Sequence, residues 1–481
     1  MIENQIKKFK DQNSNDIYIT EKIGSGGQGM VYRTKDRNIA VKFLSKDDEI
    51  INDQETYNSF KEKIEEVIIL KTDETIHICK PELMLESPTC GYVMKLLNDL
   101  VPVSELIYTN EGNFTTFFKE TLGIKKRLEV LIELSKTLAK LHTDGIIYGD
   151  ISPNNVFFSK KSFYTNVWLI DCDNMHTESG NITRIYTPGY GAPEVVNSSP
   201  NTIFSDIYSF AILGFKILSS RNPFRLVNDD GATTNGWDAS TKSNLKNIKN
   251  EYIWDLENAN DDNLVLFYRN LFGDKLMDLF NRTFCKDNIF NPISRPSMRI
   301  WYKTLIETYN RINLCECGSY HFAAMDCMWC NAKPNIKTYL TIYRNYSTDN
   351  VKKMNNVLNR LEDEDDFYPD SERLTIKSEI IKSIQVELED TIPIYDGFEL
   401  RNFQYSDFHI GTLDKPIVSF FTFNKKLIIN NHCDELYVIE NGKLVKFGSE
   451  RSLDPNSQIL LTDNKITHGF KKIVKVVCHE K

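Results

Sequence analysis

Tyr148-Gly149-Asp150-Ile151-Ser152-Pro153-Asn154-Asn155 is the stretch whose reading decides the fold, and Ile170-Asp171 answers it downstream. It sets out one Asp, an Asn five residues later, and a second Asp behind an apolar run from Val167 to Ile170. One carboxylate can orient an attacking hydroxyl, while an amide and another carboxylate supply the hard oxygen donors that Mg²⁺ takes. These are the parts that phosphoryl transfer requires. Each has a plainer role when taken singly: Asp150 could cap a turn, and Asn154-Asn155 could supply turn hydrogen bonds.

Working outward, residues 18 to 44 read as a strand, a glycine loop and two more strands. Ile23-Gly24-Ser25-Gly26-Gly27-Gln28-Gly29-Met30-Val31-Tyr32 contains G-x-G-x-x-G followed by x-V. Glycines let a backbone close over phosphates with its amides toward the anion, although a hairpin turn can look the same. Ala40-Val41-Lys42-Phe43 then carries one Lys on a short apolar strand. Tyr57 to Lys71 places Phe60, Ile64, Val67 and Ile68 at helical spacing. Lys125 to His142, with Leu128, Leu131, Ile132, Leu134, Leu138 and Leu141, reads as a core helix leading to Gly145 and the Asp150 loop. Beyond Asp171 come Thr187-Pro188-Gly189-Tyr190-Gly191-Ala192-Pro193-Glu194, Asp206-Ile207-Tyr208-Ser209-Phe210 and Arg295-Pro296-Ser297.

Together these stretches resemble the protein kinases, over about residues 18 to 310. The resemblance implies an α+β, bilobal fold with a β-rich small lobe and a helical large lobe. It implies ATP and Mg²⁺ as cofactors, with Asp150 as base and Asn155 and Asp171 as magnesium ligands. Lys42 would contact the α- and β-phosphates and would be held by a helix Glu, Glu66 or, one turn earlier, Glu62. Nucleotide would lie against Ile23, Gly24, Gly26, Gly29, Val31, Ala40 and Lys42. Met94 would take the gatekeeper position, and Lys95 to Leu97 the hinge that meets adenine through backbone groups. Thr187 would be the substrate-adjacent Thr, favouring Ser/Thr substrates, and Arg295 would pair with Glu194.

The departures from that family are specific. Tyr148-Gly149 replaces His-Arg, so the Arg that clamps a phosphorylated activation loop is missing, and activity independent of that phosphate is expected. Ser152 replaces a Lys that contacts the transferred phosphate, which weakens transition-state charge stabilisation. Asp171-Cys172-Asp173 replaces Asp-Phe-Gly but keeps the first carboxylate. An active Ser/Thr protein kinase is the leading expectation. A small-molecule or lipid kinase and a nucleotide-binding pseudokinase scaffold are the alternatives.

Composition bounds the rest. The 481 residues predict two to four domains, and a net charge of -9 gives no whole-protein nucleic-acid footprint. No apolar run approaches the roughly 20 residues that span a bilayer, and Met1-Ile2-Glu3-Asn4-Gln5 lacks the plan of a signal peptide. The expectation is a cytoplasmic protein without membrane attachment, of a bacterial-type signalling or stress-response design. Four of the ten cysteines fall in Cys315-Glu316-Cys317-Gly318 and Cys327-Met328-Trp329-Cys330. Two such knuckles suit a structural Zn²⁺ and resemble a small zinc ribbon; redox-prone dithiol turns compete, and His321 could replace one thiolate.

From Asn335 the composition shifts. Tyr339 to Tyr343 reads as extended, Asp349 to Leu361 as helical, and Glu362 to Asp366 as a solvated acidic linker. Beyond Thr391 β-prone runs recur at Ile417–Phe423, Leu427–Ile429, Glu435–Ile439, Leu444–Phe447, Ile459–Leu461 and Ile473–Val477, with Asn441-Gly442 as a hairpin turn. The expected organisation is a kinase-like domain over 1–310, a zinc ribbon over 311–334, a connecting region over 335–390 and an all-β domain over 391–481. Protein substrate is the expected partner, with a further protein partner or regulatory contact through the β domain.

Overall fold

Gly29 shows why the chain after the glycine loop lies so close to the strand ending at Phe43: a Cβ added there would lie 2.1 Å from the Phe43 carbonyl oxygen, so the two backbones approach only because no side chain intervenes. The computed structural model describes residues 7–26, 29–109, 112–159, 165–178, 180, 184–227, 233–235, 250–252, 272–323, 325–333, 338–344, 387–395, 398–401, 416–423, 426–432, 436–440, 443–454, 458–463 and 472–478. The chain divides into two units, residues 1–121 with 126–305, and residues 122–125 with 306–481.

In the first unit, strands β1 (Lys7–Lys10), β2 (Asp16–Gly26), β3 (Gly29–Thr34) and β4 (Ile39–Phe43) form an antiparallel meander. A two-residue ladder, β5 (Ser45–Lys46) and β6 (Glu49–Ile50), precedes helix α1 (Gln54–Ile69). Strands β7 (Pro81–Met84) and β8 (Gly91–Lys95) complete a six-stranded sheet in the order β1-β2-β3-β4-β8-β7. Strand β4 is interior to that sheet, and its Ala40 to Phe43 are all buried. Opposed residues share a face. Val31 faces Lys42, Lys42 faces Tyr92, and Ala40 faces Met94. Val41, Phe43 and Val93 pack in a separate cluster with Ile19 and Leu85.

Helix α1 starts where the Asp53 carboxylate accepts the Thr56 amide at 2.8 Å. Its buried stripe is Tyr57, Ile64 and Val67, of which Tyr57 and Ile64 pack in one cluster with Tyr92. The lower half is helical. Helix Gly123–Thr143 buries Leu128, Leu131, Leu134, Leu138 and Leu141, the stripe expected from its spacing. Helix Ile203–Ser219 begins with a Thr202/Ser205 capping box and is buried almost all round.

Strand Val156–Ser159 pairs with Val167–Leu169, with Val156 opposite Leu169. The Ile170 amide then donates to the Asn155 carbonyl at 3.0 Å. That register sets the loop ending at Asn155 beside the one beginning at Asp171.

The second unit contains a small hairpin, Ile312–Leu314 with Tyr320–Phe322, and two antiparallel sheets. One sheet has six strands and the other four, and side chains from both fill one core, among them Ile392, Val438 and Val476 with Phe398, Val418 and Phe420. The β-rich architecture starts earlier than the 391 boundary. Strand Thr338–Arg344 lies between Glu387–Ile394 and Lys472–Cys478, and such long-range pairing leaves no local signature. Leu314 and Tyr320 pack against the same core. The expected helix 349–361, the acidic run and the Asn441-Gly442 turn lie outside the described residues, although Glu440 is paired with Lys443 across that turn.

Candidate active site

Asp150 sits half-buried where three elements meet. The Asn155 side-chain amide donates to its carboxylate and to its backbone carbonyl, both at 3.0 Å, and the Thr187 hydroxyl donates to the other carboxylate oxygen at 2.7 Å. Burial, reinforced by the Asp171 charge, raises the Asp150 pKa against these hydrogen bonds. A carboxylate so placed can accept a proton from a hydroxyl presented to it.

The loop carrying Asp150 is held from below. Buried Asp206 accepts the Tyr148 and Gly149 amides at 2.8 and 2.9 Å and contacts His142 Nε2 at 3.1 Å. Hydrogen bonds to a charged acceptor contribute about 1.5–3 kcal/mol each, enough to fix a short loop. Gly149 has φ +93°, a conformation that side chains disfavour, which gives a local reason for glycine in this loop. Tyr148 is buried, and its hydroxyl donates to the Ile170 carbonyl, tying the Asp150 loop to the Asp171 loop.

Asp171 occupies the left-handed region, φ 57°, and opens a short 3₁₀ turn, Cys172–Asn174. Lys42 forms ion pairs with Asp171 and, at 2.7 Å, with Asp173. Burial works against the Lys42 charge, but the Asp173 and Asp171 carboxylates outweigh it and hold its pKa above the ordinary value. Asp173 is pulled the other way: burial opposes its ionisation, yet Lys42 and Lys63 keep its pKa low. For Asp171, burial and the neighbouring Asp173 charge raise the pKa.

The pairing of Lys42 is a correction to the sequence reading. Neither Glu66 nor Glu62 is its ion-pair partner, and Glu62 is exposed. Helix α1 instead sends Lys63 inward, where Nζ donates to Asn174 Oδ1 at 2.6 Å. From sequence Asp173 stands only as a departure from Asp-Phe-Gly, and nothing there marks Lys63, Tyr92 or Asn174 as site residues. The D-x-D spacing is the one signal for Asp173.

The other expected residues fall around the same face. Val31, Ala40, Lys42 and Met94 are brought together by the β3-β4-β8 register, with Gly24 opposite Val31. Gly26 ends β2, Gly29 begins β3, and Ile23 is exposed, while Gly27 and Gln28 lie outside the described residues. Lys95 is exposed at the end of β8, followed by half-buried Leu97. Ser152 is buried and brings no charge to the loop.

Around this centre, Arg295 makes two hydrogen bonds to Glu194, at 2.6 and 2.9 Å, and a third to the Phe204 carbonyl at 2.9 Å. The Ser209 hydroxyl donates to the Tyr190 carbonyl at 2.9 Å.

In the second unit, the sulfurs of Cys315, Cys317, Cys327 and Cys330 all lie within 4.8 Å of one another. The Gly318 amide donates to the Cys315 carbonyl at 2.8 Å and the Asn331 amide to the Cys327 carbonyl at 2.8 Å, closing both knuckles. Buried His321 is outside the cluster; its Nδ1 meets the Phe322 carbonyl at 2.9 Å.

Known proteins give the same picture. The chain is similar to death-associated protein kinase 2 of Mus musculus, 25% identical over 224 residues, which are 46% of this chain and 59% of that protein. It is also similar to serine/threonine-protein kinase 33 of Mus musculus, 30% identical over 219 residues, 42% of this chain and 41% of that protein. The chain thus spans less than two thirds of the length of either relative. The family model described as protein kinase domain matches residues 17–301, more than half of the chain and the whole of the site around Asp150, but not the cysteine cluster. The chain belongs to the protein kinase family.

Proposed function

We propose that this chain is an ATP- and Mg²⁺-dependent protein kinase that phosphorylates serine or threonine hydroxyls of protein substrates. The observation that carries the reading is the convergence on Asp150 of Asn155 and Thr187, with Asp171 and Lys42 alongside. Bound ATP and magnesium would supply the γ-phosphoryl group and neutralise the charge that develops on it. Asn155 and Asp171 offer the oxygen donors for the metal, and Lys42 the cation for the phosphates. Asp150 orients the substrate hydroxyl and takes its proton, while Thr187 fixes the rotamer of that carboxylate. Val31, Ala40 and Met94 line the apolar wall for the base, and Lys95 and Leu97 supply the hinge backbone. The Glu194–Arg295 pair and the segment ending at Glu194 support a protein substrate over a small molecule.

Incubation of the purified chain with Mg-ATP and a generic protein substrate, beside Asp150→Ala and Asp171→Ala, tests this. Phosphoserine or phosphothreonine formed by the parent and lost in both variants is the expected result. ATP consumption without phosphoprotein would support a small-molecule kinase instead, and nucleotide binding without turnover a pseudokinase.

We further infer that the four cysteines hold a structural Zn²⁺. Tetrahedral thiolate ligation at about 2.3 Å requires sulfurs at such mutual distances, and four protein ligands leave no open position. The β unit reads as a recruiting or regulatory module. Phe421 and Phe423, exposed on one face of strand Pro416–Phe423, support a protein partner there.

A further inference from the structure

Lys42 and Asp173 are both almost wholly buried, at 8% and 7% side-chain exposure, and their charged atoms lie 2.7 Å apart. We propose that Asp173 is the positioning residue for Lys42, taking the role that a helix glutamate holds elsewhere in the family; this rests on the kinase reading above.

The geometry explains how a loop residue does it. Lys42 and Tyr92 are directly opposed across β4 and β8, so both side chains leave the sheet on one face. The Tyr92 hydroxyl donates to Asp173 Oδ2 at 3.1 Å, the same oxygen that accepts from Lys42. Asp173 Oδ1 accepts from Asn174 Nδ2 at 3.1 Å, and Asn174 Oδ1 accepts from Lys63 of α1 at 2.6 Å. Both carboxylate oxygens are therefore occupied, and the rotamer is fixed.

The left-handed Asp171 and the Cys172–Asn174 turn bring Asp173 back to the site, with Cys172 fully buried as the anchor. Helix α1 contributes a cation, Lys63, to this network. A division of labour results: Asp171 serves the metal, and Asp173 remains with Lys42. The lysine is thus held by a group two residues from the metal ligand rather than by a separate helix.

The test is a double-mutant cycle on the full chain, read as kcat/KM for ATP and, separately, as affinity for a fluorescent ATP analogue with Mg²⁺. Asp173→Asn, which keeps shape and removes charge, is expected to lower kcat/KM by about 10²-fold. It should add nothing in a Lys42→Met background, because Asp173 acts through Lys42. Asp173→Glu should recover part of the loss, and Glu66→Gln should stay within about threefold of the parent. A folding defect would instead multiply with Lys42→Met and lower the melting temperature.

Multiplicative losses, a Glu66→Gln loss equal to that of Asp173→Asn, or a raised Mg²⁺ requirement independent of Lys42 would each overturn the proposal. Should the parent bind nucleotide but transfer no phosphate, the kinase reading fails while the binding cycle still decides this one: coupled losses uphold it and independent losses overturn it.

Discussion

The side-chain amide of Asn201 donates to the Gly149 carbonyl at 3.0 Å. The same buried side chain also accepts the Ile185 amide at 2.8 Å and donates to the Ile185 carbonyl at 2.9 Å. Asn201 therefore joins the loop before Asp150 to the segment leading to Thr187, with three neutral hydrogen bonds and no phosphate. An Arg at the position of Gly149 would serve that connection only once the segment was phosphorylated. Here the connection is already made.

The first prediction follows from that bridge. Phosphatase-treated protein should keep its phosphotransfer rate, whereas Asn201→Ala should lower kcat by about tenfold, since neutral hydrogen bonds contribute about 1 kcal/mol each and only part of their loss reaches the transition state. The two preparations are compared in one assay with intact-mass determination of phosphate. An enzyme that gains activity only on phosphorylation between Asp171 and Glu194 contradicts the account.

Tyr148 supplies the second. Its hydroxyl satisfies the Ile170 carbonyl. Tyr148→Phe leaves that carbonyl without this donor in a buried loop, at about 1–3 kcal/mol. Thermal unfolding should shift down by about 2–8 °C. Tyr148→His, which restores the commoner family residue, should not recover the loss, because an imidazole is too short to reach Ile170 from the same backbone.

Much of this site is legible in sequence because its parts are local. Asp150 and Asn155 lie in one loop, and the apolar run before Asp171 identifies the strand that delivers it. Glu194 and Arg295 are far apart in sequence, yet each sits in a motif recognisable by itself. The partner of Lys42 is different in kind. It depends on the β4-β8 register that aligns Lys42 with Tyr92 and on the left-handed backbone of Asp171, and neither has a local signature. Asn201 is similar, one Asn in a polar Asn-Ser-Ser-Pro-Asn stretch. In the second unit the alternating apolar runs locate the strands, but the sheet order, with residues 338–344 set beside 472–478, is a matter of long-range pairing.

Arg295 gives a third prediction. Its side chain is wholly buried, and Glu194 accepts two of its hydrogen bonds. Exposed pairs such as Lys8–Asp16, at 50% and 40% exposure, are screened by solvent, and removing them should leave stability nearly unchanged. Glu194→Ala strands a buried guanidinium, a loss of about 3–5 kcal/mol. Urea unfolding of the two variants side by side should show a large midpoint shift for Glu194→Ala and almost none for Asp16→Ala.

The zinc reading makes a fourth. Metal analysis of protein purified without chelator should give about one Zn²⁺ per chain, since the four cysteine sulfurs form a single cluster and a structural Zn²⁺ takes four protein ligands. Cys327, fully buried, is the member of the cluster whose loss should matter most, and Cys327→Ser is expected to lower the zinc content and to destabilise residues 306–481. A metal-free preparation that unfolds at the same temperature as the untreated one would remove the structural role.

The last prediction concerns pH. In the proposed reaction Asp150 must be ionised to take the hydroxyl proton, and burial together with the Asp171 charge raises its pKa. A raised pKa means that the active, ionised form is lost at a higher pH than for a free Asp, so the acidic limb of kcat/KM should lie above the ordinary aspartate range near pH 4. The Thr187 hydroxyl acts in the opposite direction, because its hydrogen bond at 2.7 Å stabilises the carboxylate. Thr187→Val removes that bond and keeps the shape, so the limb should move further toward neutral pH while the basic side of the profile stays in place. Thr187→Ser retains a donor and should leave the limb close to that of the parent. A pH profile of kcat/KM for the three proteins decides the matter: an acidic limb identical in Thr187→Val and parent would show that Thr187 does not tune the Asp150 carboxylate, and a limb below pH 4 in the parent would show that burial and the Asp171 charge do not outweigh its hydrogen bonds.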